Sequence, residues 1–214
     1  DGAALPDVRG TVTVVGTDRL IGFENGMLAY ERSLDVRLPG AHNRANLAAA
    51  TAAALELGVD VDALSGAMAS LALPPGRYES FAMPGGWRLI YDAYNASPSG
   101  TVAALDALSV EDARRTVAVL AGMAELGDES ERLHERVGAH AAHRAGVIVA
   151  GGDHAAALAR GARDAGMPSG AIVEVGSNAE TVEWLRANVR PGDAVLLKGS
   201  RKYRLEEILE ELRS

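Results

Sequence analysis

The sequence predicts an α/β protein: a doubly wound, mostly parallel sheet, entered through an antiparallel hairpin and preceded by part of another domain. Three observations carry this. Short, nearly continuous apolar runs recur at 115–120, 147–150, 172–175 and 194–197. Stretches suited to helices separate and follow them, at 99–108, 129–145, 154–165, 179–189 and 205–212. Strands buried on both faces and joined through helices make parallel sheets. Ahead of them, strand-like runs at 78–83 and 87–94 flank Pro84-Gly85-Gly86, a turn that folds a chain back on itself.

The elements before the hairpin follow another grammar. Residues 1–38 read as β-structure: Thr11-Val12-Thr13-Val14-Val15 is β-branched, and Leu34-Asp35-Val36-Arg37-Leu38 alternates with period two. Pro39-Gly40 ends that run. The alanine-rich run 43–57 reads as a buried helix stopped by Gly58, and 62–71 as a shorter one with Asp60 or Asp62 as its N-cap. Leu73-Pro74-Pro75-Gly76 is a stiff turn and reads as a boundary, giving one domain at 1–76 and a second at 77–214.

Composition removes several function classes. The chain has 214 residues, 48% hydrophobic and 23% charged, which suits a packed core. It has no cysteine, which excludes a disulfide scaffold, a thiolate metal site and a cysteine nucleophile. A net charge of -8 and 4% aromatic residues argue against a nucleic-acid partner. The longest apolar stretch, near 45–57, is broken by Asn46, Thr51 and Glu56, short of the roughly 18 residues of a membrane span. The chain opens at Asp1 with no leader and reads as a fragment of a cytoplasmic, monomeric protein.

The motifs are weighed one by one. Gly122-Met-Ala-Glu-Leu-Gly127 lacks dinucleotide-fingerprint spacing, and Gly151-Gly152 is only a pair. A phosphate loop needs G-K-[ST]; the two lysines, Lys198 and Lys202, are followed by Gly and Tyr. G-x-S-x-G is also missing. His134, His140 and His143 would sit at roughly 0°, 240° and 180° on a helix, so they read as solvated or capping histidines and no metal site is assigned. His42-Asn43-x-x-Asn46 is either a helix cap or an amide cluster for a base edge. Asp92 ends an apolar strand and either caps a helix or accepts ribose hydroxyls. Arg77 is a surface arginine or a phosphate partner. Lys198-Gly199-Ser200-Arg201 leaves a buried strand on a glycine turn. It either balances the acidic helix near Glu206 and Glu211 or holds an anion.

The order Leu38-Pro39-Gly40-x-His42-Asn43-x-x-Asn46, Gly76-Arg77-x-Glu79, Asp92-x-Tyr94-Asn95, Met123-x-Glu125-Leu126-Gly127-x-x-Ser130-x-x-x-His134 and Lys198-Gly199-Ser200-Arg201 resembles the Mur ligases. Within them it is most similar to the branch that adds D-alanyl-D-alanine to UDP-N-acetylmuramoyl-tripeptide. The resemblance runs from about residue 34 to the end of the chain.

The resemblance implies the end of a central ATPase domain followed by a complete Rossmann-like C-terminal domain. It implies ATP-driven amide formation through an acyl phosphate, with Mg2+ on the phosphates and a UDP-MurNAc-peptide and D-Ala-D-Ala as partners. It implies a nucleotide site from His42, Asn43, Asn46, Arg77, Asp92 and Asn95. It implies a dipeptide site from Ser97, Ser99, Lys198, Ser200 and Arg201. The family's phosphate loop and carbamylated lysine lie upstream of its matching segment, so no catalytic residue is assigned here and the chain alone is expected to be inactive. Members of the branch commonly read Asn-Ala-Asn-Pro-Asp-Ser where this chain has Asn95-Ala96-Ser97-Pro98-Ser99-Gly100. A related ligase with another amine substrate, or a non-catalytic nucleotide-binding module, are the alternatives.

Overall fold

A computed structural model describes residues 11–15, 19–24, 27–33, 41–71 and 73–214. They divide into two compact units at Leu73/Pro74.

The first unit holds an antiparallel sheet, β1 (Thr11–Val15), β2 (Arg19–Glu24) and β3 (Met27–Ser33), in the order β1-β2-β3. A register shift falls at Gly22/Phe23. The β-rich reading of this region holds for β1, β2 and β3. The residue pattern alone does not separate β2 from β3, and the run 34–38 lies outside the described residues. Helix α1 (Ala41–Glu56) packs against β1. It ends where expected: Gly58 takes φ +84, its amide meets Leu55 O, and the Val59 amide meets Ala54 O. That pair of bonds is a Schellman cap, which needs a left-handed residue. Helix α2 (Val61–Ala69) is capped by Asp60, whose carboxylate accepts from the Asp62 and Ala63 amides at 2.9 and 3.2 Å.

The second unit opens with the hairpin of β4 (Glu79–Met83) and β5 (Trp87–Asp92), antiparallel across a turn where Gly85 and Gly86 both have positive φ. Then helices and strands alternate: α3 (Pro98–Leu108), β6 (Arg115–Leu120), α4 (Ser130–Ala142), β7 (Val147–Ala150), α5 (Ala155–Asp164), β8 (Ile172–Glu174), α6 (Asn178–Asn188), β9 (Asp193–Lys198) and α7 (Glu206–Arg213). The six-stranded sheet has the order β4-β5-β9-β6-β7-β8, and every pair except β4–β5 is parallel. Its last strand in sequence is therefore inserted at its centre, with all six residues buried.

Right-handed crossovers set the layers. The chain steps outward from β5 to β8 with α3, α4 and α5 packed in a row, then returns through α6 to the other face, where α6 meets α7. Leu89, Val117, Val119, Val149, Val195 and Leu197 form the core under α6 and α7, with Val182, Leu185 and Ile208. Alternation turns Ile90, Ala118, Ile148 and Leu196 to the opposite face. Helices α4 and α5 approach so closely that only glycine fits. A Cβ on Gly138 would lie 2.0 Å from Leu158 O, and one on Gly161 1.9 Å from Glu135 O.

Candidate functional site at the carboxyl edge of the sheet

Open α/β sheets bind ligands beyond the carboxyl ends of their strands. Here β5, β9 and β6 end level, because Asp92 and Leu120 are both in register with Lys198. The turns at 92–99, 121–127 and 198–201 therefore leave the sheet at one edge.

Lys198 does not face a ligand freely. Its ammonium donates to Asp92 O at 3.0 Å and Asn95 O at 2.6 Å, and pairs with Asp92 Oδ2 at 3.1 Å. The lysine side chain is 5% exposed and the aspartate 16%. Burial pulls the lysine's pKa down, and the Asp92 carboxylate opposes that. The group is thus a brace that clamps the 92–97 turn to the end of β9. Asn95 Oδ1 accepts from the next amide, Ala96, at 2.8 Å. Ser97 is the N-cap of α3, accepting from the Gly100 amide at 3.2 Å. Ser99 is exposed in the first turn of that helix.

Ser200 is also built in. It is buried, its Oγ accepts from the Ala124 amide at 2.8 Å, and its own amide donates to Gly122 O at 3.0 Å. Arg201 is exposed, with no acidic partner among the described residues. Charge balance for the last helix comes from elsewhere: Arg204 pairs with Glu207 at 2.8 Å and Arg186 with Glu211 at 3.1 Å. Arg77 lies 4.7 Å over the Tyr94 ring and also lacks an acidic partner among the described residues. Its position is set by Gly76 at φ +75, whose carbonyl accepts from the Tyr94 amide.

Three expectations are corrected. His134 is neither solvated nor capping. It is fully buried, with Nε2 2.8 Å from the Met123 amide and Nδ1 2.6 Å from Ser130 O. The signal was present: His134, Val137, Gly138 and Ala141 form the buried stripe of α4. His140 pairs with Asp106 at 2.8 Å, and only His143 sits at the helix end. Asn43 is not a helix cap, because α1 begins two residues before it. It is half-buried and Asn46 is exposed, both on the first unit, while the His42 side chain lies outside what the structure describes.

The same edge continues over β7 and β8 with a different character. Tyr203 lies against Gly122 and Gly152, where added Cβ atoms would stand 2.2 Å from its hydroxyl oxygen and 2.5 Å from its ring. The Glu180 carboxylate accepts from the Gly176 amide at 2.8 Å, filling the anion position ahead of α6. Asn178 reaches across to Tyr203 O at 3.0 Å and Glu207 at 2.9 Å. A cleft of about 260 Å³ remains between Gly151, Gly176, Ser177 and Tyr203. Tyr203 was not foreseen, since nothing in its local sequence marks it.

This architecture, with a hairpin leading into a parallel sheet and the last strand inserted beside the first, defines a class before it defines an activity. Residues 76–201 match the Mur ligase, glutamate ligase domain, and the chain belongs to that family. The chain is 35% identical over 190 residues to the UDP-N-acetylmuramoyl-tripeptide–D-alanyl-D-alanine ligase of Mycobacterium leprae, covering 81% of this chain and 37% of that one. The Escherichia coli enzyme of the same name is 32% identical over 184 residues, covering 84% and 39%. Among solved structures, MurF from Acinetobacter baumannii superposes with a TM-score of 0.78 at 25% identity, over 91% of this chain and 42% of that one. MurF from Thermotoga maritima in complex with ADP gives 0.69 at 25% identity, over 94% and 44%. The chain therefore spans about two-fifths of the length of these relatives.

Proposed function

We propose that this chain is the C-terminal part of an ATP-dependent amide ligase of peptidoglycan-precursor synthesis, one that adds D-alanyl-D-alanine to a UDP-N-acetylmuramoyl-tripeptide. The observation that carries the reading is that two exposed guanidinium groups, Arg77 and Arg201, lie in turns at the same sheet edge as a braced carboxylate, Asp92. The names of the relatives supply the substrates.

In this reading the peptide carboxylate attacks the γ-phosphorus of ATP, giving an acyl phosphate and ADP. The dipeptide amine then attacks the acyl carbon, and phosphate leaves with the bonding pair. Asp92 accepts ribose hydroxyls through the carboxylate oxygen not held by Lys198. Arg77 takes phosphate, and Arg201 takes the dipeptide carboxylate through its planar fork. Lys198, Ser200, Asn95 and Ser97 act one step back, by fixing the turns that carry these groups. His42, Asn43 and Asn46 form the adenine side on the first unit. Mg2+ would neutralise charge on the phosphates of ATP; among the described residues no three His, Asp or Glu side chains cluster as a metal cage requires. Among the described residues, too, no helix is long and apolar enough to cross a membrane; a cytoplasmic location is part of the proposal. The altered turn at Ser97 and Ser99 favours, as a second reading, a ligase of the same type with a different amine.

The test is phosphate release from ATP and UDP-MurNAc-tripeptide by the full-length protein, with D-Ala-D-Ala supplied or withheld. Dipeptide-dependent release supports the reading. Release that depends instead on another amine supports the second, and none with any amine overturns both. This chain alone is expected to release nothing above background.

A further inference from the structure

The turn between β6 and α4, residues 121–127, forms the middle of the carboxyl edge. Glu125 sits there at φ 62, a left-handed conformation uncommon for a residue with a Cβ, and Gly127 follows at φ 56. Such a turn keeps one shape only when its neighbours dictate it. Two consecutive amides inside it leave the strand ladder, and each has a dedicated acceptor. Ala124 N–H donates to Ser200 Oγ at 2.8 Å, from the β9 side. Met123 N–H donates to His134 Nε2 at 2.8 Å, from the α4 side.

The chemistry at His134 leaves no freedom. A backbone amide only donates, so Nε2 must be bare. The Ser130 carbonyl, 2.6 Å from Nδ1, only accepts, so Nδ1 must carry the proton. The ring is thus a neutral imidazole in one tautomer, fully buried. His154 stacks on it with centroids 4.2 Å apart, and its Nε2 meets Ser130 Oγ at 2.9 Å. The other charge facing the pair is Lys202, itself bound to Asp153 at 2.7 Å.

We propose that His134 is the positioning residue of this turn, a neutral imidazole that holds the Met123 amide and lets go of it when protonated. The holding itself stands without the ligase reading; only its bearing on ligation rests on that reading. Burial keeps the ring's pKa below the ordinary 6.5; the Ser130 carbonyl opposes this, and His154 and Lys202 add to it. The locally opened turn, its ring freed to the ordinary value, therefore takes up a proton first as pH falls. The turn's stability is complete above about 6.5 and is lost below it.

The experiment uses the 214-residue chain, labelled with 15N. Long-range proton–nitrogen spectra of the imidazoles give the tautomer, and amide exchange compares Met123 with Ala118 in the adjoining strand. We expect the Nδ1–H tautomer at pH 7.5. With the intrinsic pH dependence removed, we expect exchange at Met123 to quicken below about pH 6.5 while Ala118 does not follow. His134→Ala should speed Met123 exchange by roughly tenfold to a hundredfold, the loss of one buried acceptor. His134→Gln, which keeps an acceptor near the Nε2 position, should recover most of the protection and remove the pH dependence. An Nε2–H tautomer, or Met123 exchange in His134→Ala equal to wild type, overturns the proposal. If the alanine variant does not fold, the wild-type tautomer and the glutamine variant decide it. No substrate enters the measurement, so a full-length protein without ligase activity would sink the functional reading and leave this one standing.

Discussion

The carboxyl edge of the sheet is built twice from similar parts, a polar turn beyond each strand, and the two halves come out differently. Over β7 and β8 the protein's own side chains take the ligand positions: Glu180 caps the Gly176 amide and the Tyr203 ring lies on Gly152. Over β5, β9 and β6 the side chains that could take them are turned inward as braces. Lys198 holds the 92–97 turn, Ser200 and His134 hold 121–127, and Arg77 and Arg201 are left exposed without acidic partners among the described residues. Glycine turns mark both halves. What separates a candidate site from a filled one is which charges the fold leaves uncompensated.

The largest expected effect breaks both halves together. Gly161→Ala would drive a methyl into the Glu135 carbonyl and push α5 off α4, the helix that carries His134. Overpacking against backbone should cost at least about 3 kcal/mol, read as a fall in the urea midpoint of this chain. An unchanged midpoint would mean the two helices slide apart freely.

Next comes the brace itself. Lys198→Met keeps the side-chain length and leaves Asp92 with an unpaired, mostly buried charge. We expect a loss of about 2–3 kcal/mol by chemical denaturation. In the full-length protein the same variant should raise KM for ATP more than for the amine, since its partner Asp92 is assigned to the ribose. The opposite split would return Lys198 to the amine site.

Arg201→Ala should leave stability within about 0.5 kcal/mol, as for an exposed residue with no acidic partner among the described residues. Its effect belongs in binding, with KM for the dipeptide raised roughly tenfold through loss of a charge-assisted bond. A pure ATP effect would reassign the loop. Smallest of all, Tyr203→Phe removes only a 3.3 Å hydroxyl contact to exposed Asp153 and keeps the ring over Gly122 and Gly152. The stability read from the midpoint should change by under about 0.5 kcal/mol. A larger shift would show that the filled half is held by its polar rim and not by the ring.

The parallel sheet was legible because its strands are apolar on both faces and its helix stops are explicit, as at Gly58. The hairpin was legible from Pro84-Gly85-Gly86. The run 19–33 was not resolved into two strands: Arg19 to Glu24 has no clean alternation and carries a register shift at Gly22. The site was legible as a list of residues and illegible as an arrangement. Lys198 meets Asn95 across 103 positions, and no periodicity records such a contact. His134 was misjudged for a related reason. Its three-residue and four-residue neighbours announce a buried face, but what satisfies a buried imidazole is an amide eleven residues earlier, on another element.

The insertion of β9 between β5 and β6 has a consequence for how this unit comes into being. Synthesis proceeds from the amino terminus, so β4–β5 and β6–β7–β8 emerge first as two partial sheets with no shared ladder. Each then exposes an apolar edge that only residues 193–198 can cover. The contacts that join them span about a hundred positions, a topology that folds late and slowly. Neither the brace on Asp92 nor the Ser200 bond to the 121–127 turn exists until residues 198 and 200 have left the ribosome. A nascent chain stalled before β9 is an open sheet in need of a chaperone, and one cut there afterwards has lost the seam along which its two halves were sewn.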